Sequence, residues 1–316
     1  MALNIFRLQY EYNEIYKIYV DTLGVNAALV NTIEDIPFLP VQFFKTNVIT
    51  TTQFKPGIIF ESSGTTGENT SRHYVKHLSV YKESFTKTFN LFYDKPGKWC
   101  ILALLPGYIE RQNSSLVTMA DDLIKESNNE YSGFYLYNEE ELYHVLVHNE
   151  TREQPTLLIG VTFALLDFAE KHSMALRCTT VMETGGMKGR REEITREEVH
   201  KILQDELGVQ NIHSEYGMTE LLSQAYSKEK GLFQCPPWMR ILIREENDPF
   251  AVTGSPGKEK PLTGLLNIID LANIYSCSFI ATDDVGKLYK NGDFEVLGRR
   301  DMSDMRGCSL LTAGDY

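Results

Sequence analysis

Two segments combine glycine with hydroxyl or carboxylate side chains, a pattern that suits a phosphorylated ligand. The first, SSGTTG at residues 62–67, directly follows the apolar run IIFE. Its glycines let backbone N–H groups turn inward, and its four hydroxyls add donors, which together suit a polyphosphate. The lysine and the spacing of a Walker loop are missing, so the segment does not indicate a P-loop ATPase. On these residues alone, a flexible surface turn explains the segment equally well.

The second segment, SEYGMTE at residues 214–220, follows the short run NIH. Its aromatic ring can stack on a base, and Glu220 can be presented to a magnesium ion that bridges phosphate oxygens. The alternative is a helix start, with Thr219 as the cap and Tyr216 in the core. Taken in isolation, the segment favours that alternative.

Two charged segments lie near the end of the chain. TDDVG at residues 282–286 is expected to form a loop between two strands, and GRRD at residues 298–301 follows the run FEVL. A carboxylate on a loop tip can accept both hydroxyls of a ribose, and an arginine supplies fixed charge for ribose or phosphate oxygens. Ordinary hairpin turns explain both segments as well, because acidic residues are common in turns.

The elements that must position these segments follow an alternating pattern. Apolar residues at mostly helical spacing predict an amphipathic helical opening over residues 1–30, and IPFLPVQFFK is expected to be an extended connector. Short apolar runs then alternate with amphipathic stretches, which predicts an α/β fold with a mainly parallel sheet flanked by helices. The pairs are IIFES with a helix near 79–94, CILALLP with 113–128, TLLIG with 162–172 and TTVMETGG with 195–207.

After about residue 235 the helical pattern disappears. Five apolar runs separated by glycine, proline or asparagine predict an antiparallel sheet or small barrel packed on the first sheet. The runs are WMRILIREE, LLNIIDL, CSFIAT, VGKLY and FEVLG. The chain contains no internal repeat and no long linker.

Composition excludes several classes of protein. The net charge of -12 argues against binding nucleic acid, which needs a basic surface. Five widely spaced cysteines without a CxxC pair indicate neither a disulfide framework nor a zinc site. No segment approaches the roughly 20 apolar residues of a membrane helix, so we expect no membrane span and a cytoplasmic protein.

The succession of motifs resembles that of the adenylate-forming superfamily of acyl-CoA synthetases. Within it the chain is most similar to the acyl-protein synthetase (LuxE) family, and the resemblance spans nearly the whole chain. The segments that carry it are IPFLPVQFFK, SSGTTG, LLPGYIERQNSSLV, METGG, EYGMTE and GRRDMSDMRGCSLL. The resemblance implies the adenylate-forming large-domain fold over residues 1–297, with residues 298–316 as hinge and short tail. It also implies ATP and Mg²⁺ as cofactors and a carboxylic acid substrate, a fatty acid above all.

The resemblance assigns a role to each motif. Residues closing on the phosphates would be Ser63, Gly64, Thr65, Thr66 and Gly67. Gly185 and Gly186 would line the adenine, on which Tyr216 stacks. Thr219 and Glu220 would contact phosphate and Mg²⁺. Asp284 would bind the ribose hydroxyls, and Arg299 would lie beside it.

Three features of the chain depart from the superfamily pattern. The stretch ENTSRH after the first motif lacks the usual lysine, leaving Arg72 as the nearest cation, and Asp283 stands where glycine is usual. The chain stops 15 residues after Asp301, so the small C-terminal domain with its catalytic lysine is expected to be absent.

Cys308 occupies the place of the cysteine that carries the acyl group in the LuxE family. Seven extended residues beyond Asp301 reach at most roughly 25 Å, so the thiol can swing to an adenylate held next to the hinge. We therefore expect the acyl-adenylate to pass its acyl group to Cys308 and then to a protein acceptor or a reductase partner. The alternatives are an ordinary free cysteine, a CoA or carrier-protein ligase, and a degenerate nucleotide-binding protein.

Overall fold

The computed structural model describes residues 1–62, 70–106, 111–185, 194–246, 248, 250–254 and 260–300. The helical opening is confirmed as two helices, α1 (Ala2–Tyr12) and α2 (Glu14–Thr22). Asn13 separates them and caps α2 by accepting a hydrogen bond from the Tyr16 N–H. A 3₁₀ turn (Ala27–Leu29) follows α2. The connector IPFLPVQFFK contains strand β1 (Leu39–Pro40) and most of the single turn α3 (Phe43–Thr46), so its last residues are helical and not extended as expected.

A two-stranded hairpin precedes the main sheet. Strand β2 (Ile58–Glu61) pairs antiparallel with β3 (Arg72–Val75). The sequence predicts the first strand but not the second, because the polar stretch ENTSRH includes the first two residues of β3. The hairpin flanks the first motif on both sides.

The parallel half of the fold contains three of the four predicted strand–helix pairs. Its strands are β4 (Cys100–Leu104), β5 (Gly133–Phe134), β6 (Thr156–Val161), β7 (Thr179–Thr184) and β8 (Ile212–Tyr216), in the spatial order β5-β4-β6-β7-β8. Its helices are α4 (Leu78–Tyr93), α5 (Ser115–Ser127), α6 (Glu139–Thr151), α7 (Thr162–Lys171) and α8 (Arg196–Leu207). The strand of the first pair, IIFES, lies in the hairpin instead, and β5 and α6 were not predicted. Strands β4 and β6 are buried along their whole length, as expected of parallel strands covered on both faces.

The antiparallel half continues the same sheet. It comprises β9 (Ala225–Ser227), β10 (Leu232–Gln234), β11 (Met239–Arg244), β12 (Val252–Thr253), β13 (Leu262–Asp270), β14 (Phe279–Leu288) and β15 (Phe294–Arg299). Strand β9 pairs antiparallel with β8, and the order runs on through β10, β15, β14, β13, β11 and β12. The predicted second sheet is therefore joined edge to edge to the first.

The expected loop at residues 282–286 is wrong. CSFIAT and VGKLY belong largely to one strand, β14, whose pairing with β15 shifts register between Val285 and Gly286. A Cβ on Gly286 would lie 2.3 Å from the Glu295 carbonyl oxygen, so this glycine permits close approach of two backbones. The glycine that suggested a turn instead marks a crowded point inside a strand.

Two apolar clusters flank the sheet. One packs around the parallel half and includes Phe85 and Leu158, and the other joins α1 and α2 to the antiparallel half through Phe6 and Phe279. Tyr216 belongs to the second cluster, whereas Leu222 and Tyr226 belong to the first. The segment after β8 therefore crosses between the two cores. None of the helices in the described ranges has the length and apolarity needed to cross a bilayer.

Candidate nucleotide site

The hairpin of β2 and β3 is tied together on both sides of the first motif. Glu61 pairs with Arg72 in the ladder, and their side chains lie 3.5 Å apart, Oε1 to Nε. The Ser62 N–H donates to the Ser71 carbonyl at 3.1 Å, and the Ser71 N–H donates to Ser62 Oγ at 3.0 Å. The predicted phosphate-binding residues themselves lie outside the described residues; they are Ser63, Gly64, Thr65, Thr66 and Gly67.

The second motif forms a turn at the carboxyl end of β8. The strand ends at Tyr216, and the Leu221 N–H donates to the Met218 carbonyl at 3.1 Å. The helix start that the isolated sequence favoured is therefore wrong, because the chain returns as the antiparallel strand β9. Thr219 is partly exposed in this turn, whereas Glu220 is only 6% exposed.

Glu220 contacts the hairpin of the first motif. Ser71, at the start of the described residues that follow that motif, hydrogen-bonds to the Glu220 side chain. Burial raises the pKa of the Glu220 carboxyl, while the Ser71 hydrogen bond and the charge of Arg299 oppose the rise and the charge of Asp284 adds to it. The side chains of Glu220, Arg299 and Asp284 therefore lie within electrostatic range of one another.

Tyr216 and Asp284 are in direct contact. The Tyr216 hydroxyl donates to Asp284 Oδ2 at 2.7 Å, and Arg299 Nε lies 3.8 Å from Asp284 Oδ1. Asp284 pairs directly with Arg299 between β14 and β15. Burial raises the pKa of the Asp284 carboxyl, and the Tyr216 hydrogen bond and the Arg299 charge counteract the rise.

The Tyr216 ring packs inside the protein. It is 8% exposed, and its centroid lies 5.9 Å from that of Phe233 and 5.5 Å from that of Phe294. The residue thus combines the core position that the isolated motif suggested with a hydroxyl that orients Asp284. Its expected stacking on adenine stays a prediction.

Asp283, which stands where the superfamily has glycine, has a partner of its own. Its Oδ2 accepts a hydrogen bond of 2.5 Å from Gln42 Nε2, and its carbonyl accepts one from the Arg300 N–H at 2.9 Å. Gln42 belongs to the connector IPFLPVQFFK, so this departure from the pattern joins the connector to β14.

Gly185 lies beside the second motif. It follows β7, is exposed, and has a left-handed φ of +78°, which favours glycine. Thr184 pairs with Glu215 across β7 and β8 and donates its hydroxyl to Glu215 Oε2 at 2.5 Å. Gly185 and Tyr216 therefore follow paired residues at the same sheet edge. Gly186, the other predicted adenine-lining residue, is outside the described part of the chain.

The sequence analysis missed residues that support the site. Ser71, His73 and Asn273 contact the 219–220 turn, and Thr184 contacts Glu215. Polar and apolar or aromatic residues alternate in RHYV, and this pattern could have indicated strand β3. The contact of His73 with Thr219 joins positions 146 residues apart in the chain, so no local pattern indicates it.

The residues suit a magnesium ion that is held largely by its nucleotide. Within the described ranges, no group of three or more histidine, cysteine, aspartate or glutamate residues could hold a metal ion by itself. Mg²⁺ is commonly held by one or two carboxylates together with substrate phosphates and water. Glu220 supplies one such carboxylate next to the hairpin of the first motif.

The comparison with protein families decides the relationship. The family model described as "Acyl-protein synthetase, LuxE" matches residues 1–315. This chain belongs to the LuxE family. The family predicted from the motifs is confirmed. A search of curated proteins found no match.

Solved structures show the fold shared by this LuxE-family chain. It is similar to a 2-hydroxyisobutyryl-CoA ligase, with a TM-score of 0.64 and 9% identity over 96% of this chain and 66% of that one. A long-chain-fatty-acid-CoA ligase from Archaeoglobus fulgidus has a TM-score of 0.54 and 14% identity over 84% and 55% of the two chains. The O-succinylbenzoate CoA synthetase from Bacillus subtilis, in complex with AMP, has a TM-score of 0.50 and 18% identity over 79% and 50%.

The chain spans about half to two thirds of the length of these structures. The likeness establishes the fold, the large adenylate-forming unit predicted from the sequence. At such low identity it does not by itself assign a substrate.

Proposed function

We propose that this LuxE-family enzyme uses ATP to activate a carboxylic acid, a fatty acid above all, as its acyl-adenylate and then transfers the acyl group to Cys308. The observation that supports this most is the meeting of three distant segments around residues 216–220. Ser71 reaches Glu220 from the hairpin of the first motif, and Asp284 accepts the Tyr216 hydroxyl from β14.

We assign the nucleotide contacts by motif. The ribose hydroxyls bind Asp284, whose carboxylate is already oriented by Tyr216, and Arg299 adds positive charge beside it. The adenine lies along Gly185 and Gly186 and stacks on Tyr216. The phosphates bind Thr219 and the first motif, formed by Ser63, Gly64, Thr65, Thr66 and Gly67. Glu220 holds the Mg²⁺, which neutralises phosphate charge when bound.

The first reaction is an in-line displacement. A carboxylate oxygen of the acid forms a bond to the α-phosphorus, the bond to the bridging oxygen breaks, and pyrophosphate leaves with that electron pair. Positioning and electrostatics supply most of the catalysis in such transfers. The residues around Glu220, Asp284 and Arg299 thus act by holding ATP in place.

The second reaction moves the acyl group to sulfur. The Cys308 thiolate attacks the acyl carbon, the bond to the phosphate oxygen breaks, and AMP leaves, so that one difficult transfer is divided into two easier ones. A protein acceptor or a reductase partner then takes the acyl group from the thioester. In this proposal residues 1–297 form the adenylate-forming domain and residues 298–316 the hinge and tail.

The described cysteines are poor candidates for the acyl-carrying role. Burial raises the pKa of the thiols of Cys100, Cys178, Cys235 and Cys277. Because the thiolate is the nucleophile, a raised pKa lowers reactivity. Cys308 lies outside the described residues and is the remaining cysteine of the sequence.

The test measures exchange of labelled pyrophosphate into ATP with a panel of fatty, aryl and short-chain acids. We expect exchange with at least one acid and, by mass spectrometry, an acyl adduct on Cys308. Cys308→Ser should keep the exchange and lose the adduct, whereas the control Cys178→Ser should keep both. Unchanged thioester formation with CoA in Cys308→Ser would contradict the transfer to Cys308. Absence of exchange with every acid would contradict the proposed activity as a whole.

A further inference from the structure

His73 and Asn273 form a buried polar pair that the proposed chemistry does not use. Both side chains are completely inaccessible to solvent. A buried polar group is costly unless its hydrogen-bonding atoms find partners, so the partners of such a pair indicate what it supports. Here those partners are successive residues of the turn that carries Glu220.

Each member of the pair contacts one backbone carbonyl of that turn. His73 Nδ1 lies 2.9 Å from the Thr219 carbonyl oxygen, and Asn273 Nδ2 donates to the Glu220 carbonyl oxygen at 2.7 Å. His73 Nε2 lies 2.9 Å from Asn273 Oδ1, so the two side chains also touch each other. Each of two neighbouring backbone carbonyls is thus contacted by one side chain of the pair.

We assign the ring N–H of His73 to Nδ1. Burial lowers the pKa of His73 to about 4, so the ring is neutral near pH 7 and carries one N–H. The Thr219 carbonyl oxygen and Asn273 Oδ1 both face the ring at 2.9 Å and can only accept, so a neutral ring donates to one of them. In the assignment that the variants below test, His73 donates to Thr219 and Asn273 donates to Glu220.

The pair is itself firmly anchored. The Asn273 carbonyl accepts a hydrogen bond from Gln9 Nε2 at 3.1 Å, and its N–H donates to the Asp270 carbonyl at 3.1 Å. The Asp270 carboxylate in turn accepts from the Leu222 N–H at 2.7 Å and from Ser223 Oγ at 2.6 Å. His73 lies on β3 and packs against Phe44, with ring centroids 5.9 Å apart. The turn is held against β3 and the loop after β13.

We propose that His73 and Asn273 are positioning residues that fix the peptide groups of Thr219 and Glu220 and so aim the Glu220 carboxylate at the magnesium and phosphates of ATP. The inference rests on the proposed function, and it adds two residues outside every motif of the sequence. Without the two donations, the turn is free to rotate about its backbone and the Glu220 carboxylate loses its fixed position beside Ser71.

Two substitutions of His73 separate positioning from packing. Asparagine places an amide N–H near the position of Nδ1 and keeps the donation to Thr219. Glutamine places it near the position of Nε2 and leaves the Thr219 carbonyl without a donor. We compare His73→Asn with His73→Gln and use His213→Gln, a change at a half-buried histidine on β8, as the control.

The measurement is ATP affinity by titration calorimetry, with Mg²⁺ and with EDTA, alongside pyrophosphate exchange. Mg²⁺ increases the ATP affinity of the wild type by some factor, and we expect that factor to be about fivefold smaller in His73→Gln. Such a change corresponds to the loss of one hydrogen bond. His73→Asn and the control should keep the wild-type factor, and metal-free affinity should be unchanged in all three. If His73→Gln does not fold, Asn273→Leu, which removes the donation to Glu220, should show the same loss.

Equal magnesium effects in wild type, His73→Gln and Asn273→Leu would overturn the inference. An equal loss in His73→Asn and His73→Gln would also overturn it. Loss of packing alone would affect both variants, whereas loss of the donation to Thr219 affects only His73→Gln. A wild-type protein that neither binds ATP nor exchanges pyrophosphate would instead contradict the proposed function, so the two failures are distinguishable.

Discussion

The Tyr216 hydroxyl donates a 2.7 Å hydrogen bond to Asp284 Oδ2, which joins two motifs that lie 68 positions apart. One residue ends the last parallel strand, and the other lies within an antiparallel strand. The contact therefore orients a carboxylate across the boundary between the two halves of the sheet. Four predictions follow from it and its neighbours.

Substitution of this pair should reveal coupling in ATP binding. Tyr216→Phe removes the hydrogen bond and should weaken ATP binding about fivefold, while Asp284→Asn should weaken it further. The double variant should resemble Asp284→Asn, because the tyrosine acts through the carboxylate. A double-mutant cycle of calorimetric affinities measures this, and strictly additive effects would contradict it.

Glu220→Gln should abolish activity without unfolding the protein. Loss of the metal-binding carboxylate should slow pyrophosphate exchange by about 100-fold or more. Because the folded-state pKa of Glu220 is raised, its ionisation costs stability: the favourable contribution is complete below the unfolded pKa and is lost as pH rises through the folded pKa. Glutamine removes that loss.

The measurement is the free energy of unfolding of Glu220→Gln and wild type, by chemical denaturation at pH values below and above the pKa of Glu220. The variant should be at least as stable as wild type near pH 7. Glu197→Gln, an exposed change on α8, serves as the control and should leave exchange unaltered. Full activity of Glu220→Gln would show that the carboxylate is not needed.

Gly217→Ala should disturb the site through a steric contact. A Cβ at this position would lie 2.4 Å from Glu215 Oε1, so the Glu215 side chain must move away from Thr184. We expect the melting temperature to fall by a few degrees, since about 1 kcal/mol shifts a large domain by roughly 2 °C. Gly133→Ala, where the nearest atom lies 3.6 Å away, should melt close to wild type.

His213 should contribute to the pH dependence of stability. Burial, and secondarily the charge of Lys228, lowers its pKa to about 4 from an ordinary value of 6.5. The stability from keeping the ring neutral is present above pH 6.5 and is lost as pH falls toward 4. The loss between pH 7 and pH 5 should be at most about 2 kcal/mol, because the ring is partly exposed.

His213→Asn keeps a polar group near Tyr93 Oη, which lies 3.1 Å from His213 Nδ1. Urea unfolding at pH 7 and pH 5 should show a smaller loss of unfolding free energy in this variant than in wild type. An identical loss in the two proteins would mean that His213 titrates normally in the folded state.

Periodicity predicted much of the fold because the responsible forces are local. Helices α4, α5, α7 and α8 begin and end within a few residues of their expected positions, since each has an apolar face and a polar face. The connection of the two sheets was not predictable in this way. It depends on β9 pairing with β8, and no local pattern indicates which strand edge a segment will use.

The site was predicted where motifs carry the information and missed where tertiary contacts do. The contact of Tyr216 with Asp284, and that of Asp284 with Arg299, agree with the expected convergence of the motifs. The contacts of His73 with Thr219 and of Asn273 with Glu220 involve backbone carbonyls, which every residue possesses. Amino-acid type therefore gives no sign of them.

The edge-to-edge joining of the two sheets also limits how the enzyme can move. Strand β8 pairs with β7 on one side and with β9 on the other, so an unbroken ladder of hydrogen bonds runs through the region beside Tyr216. Swinging one half of the molecule against the other would break that ladder. In the proposed function, ATP would then be enclosed by segments at the ends of the strands, while the strands themselves stay fixed.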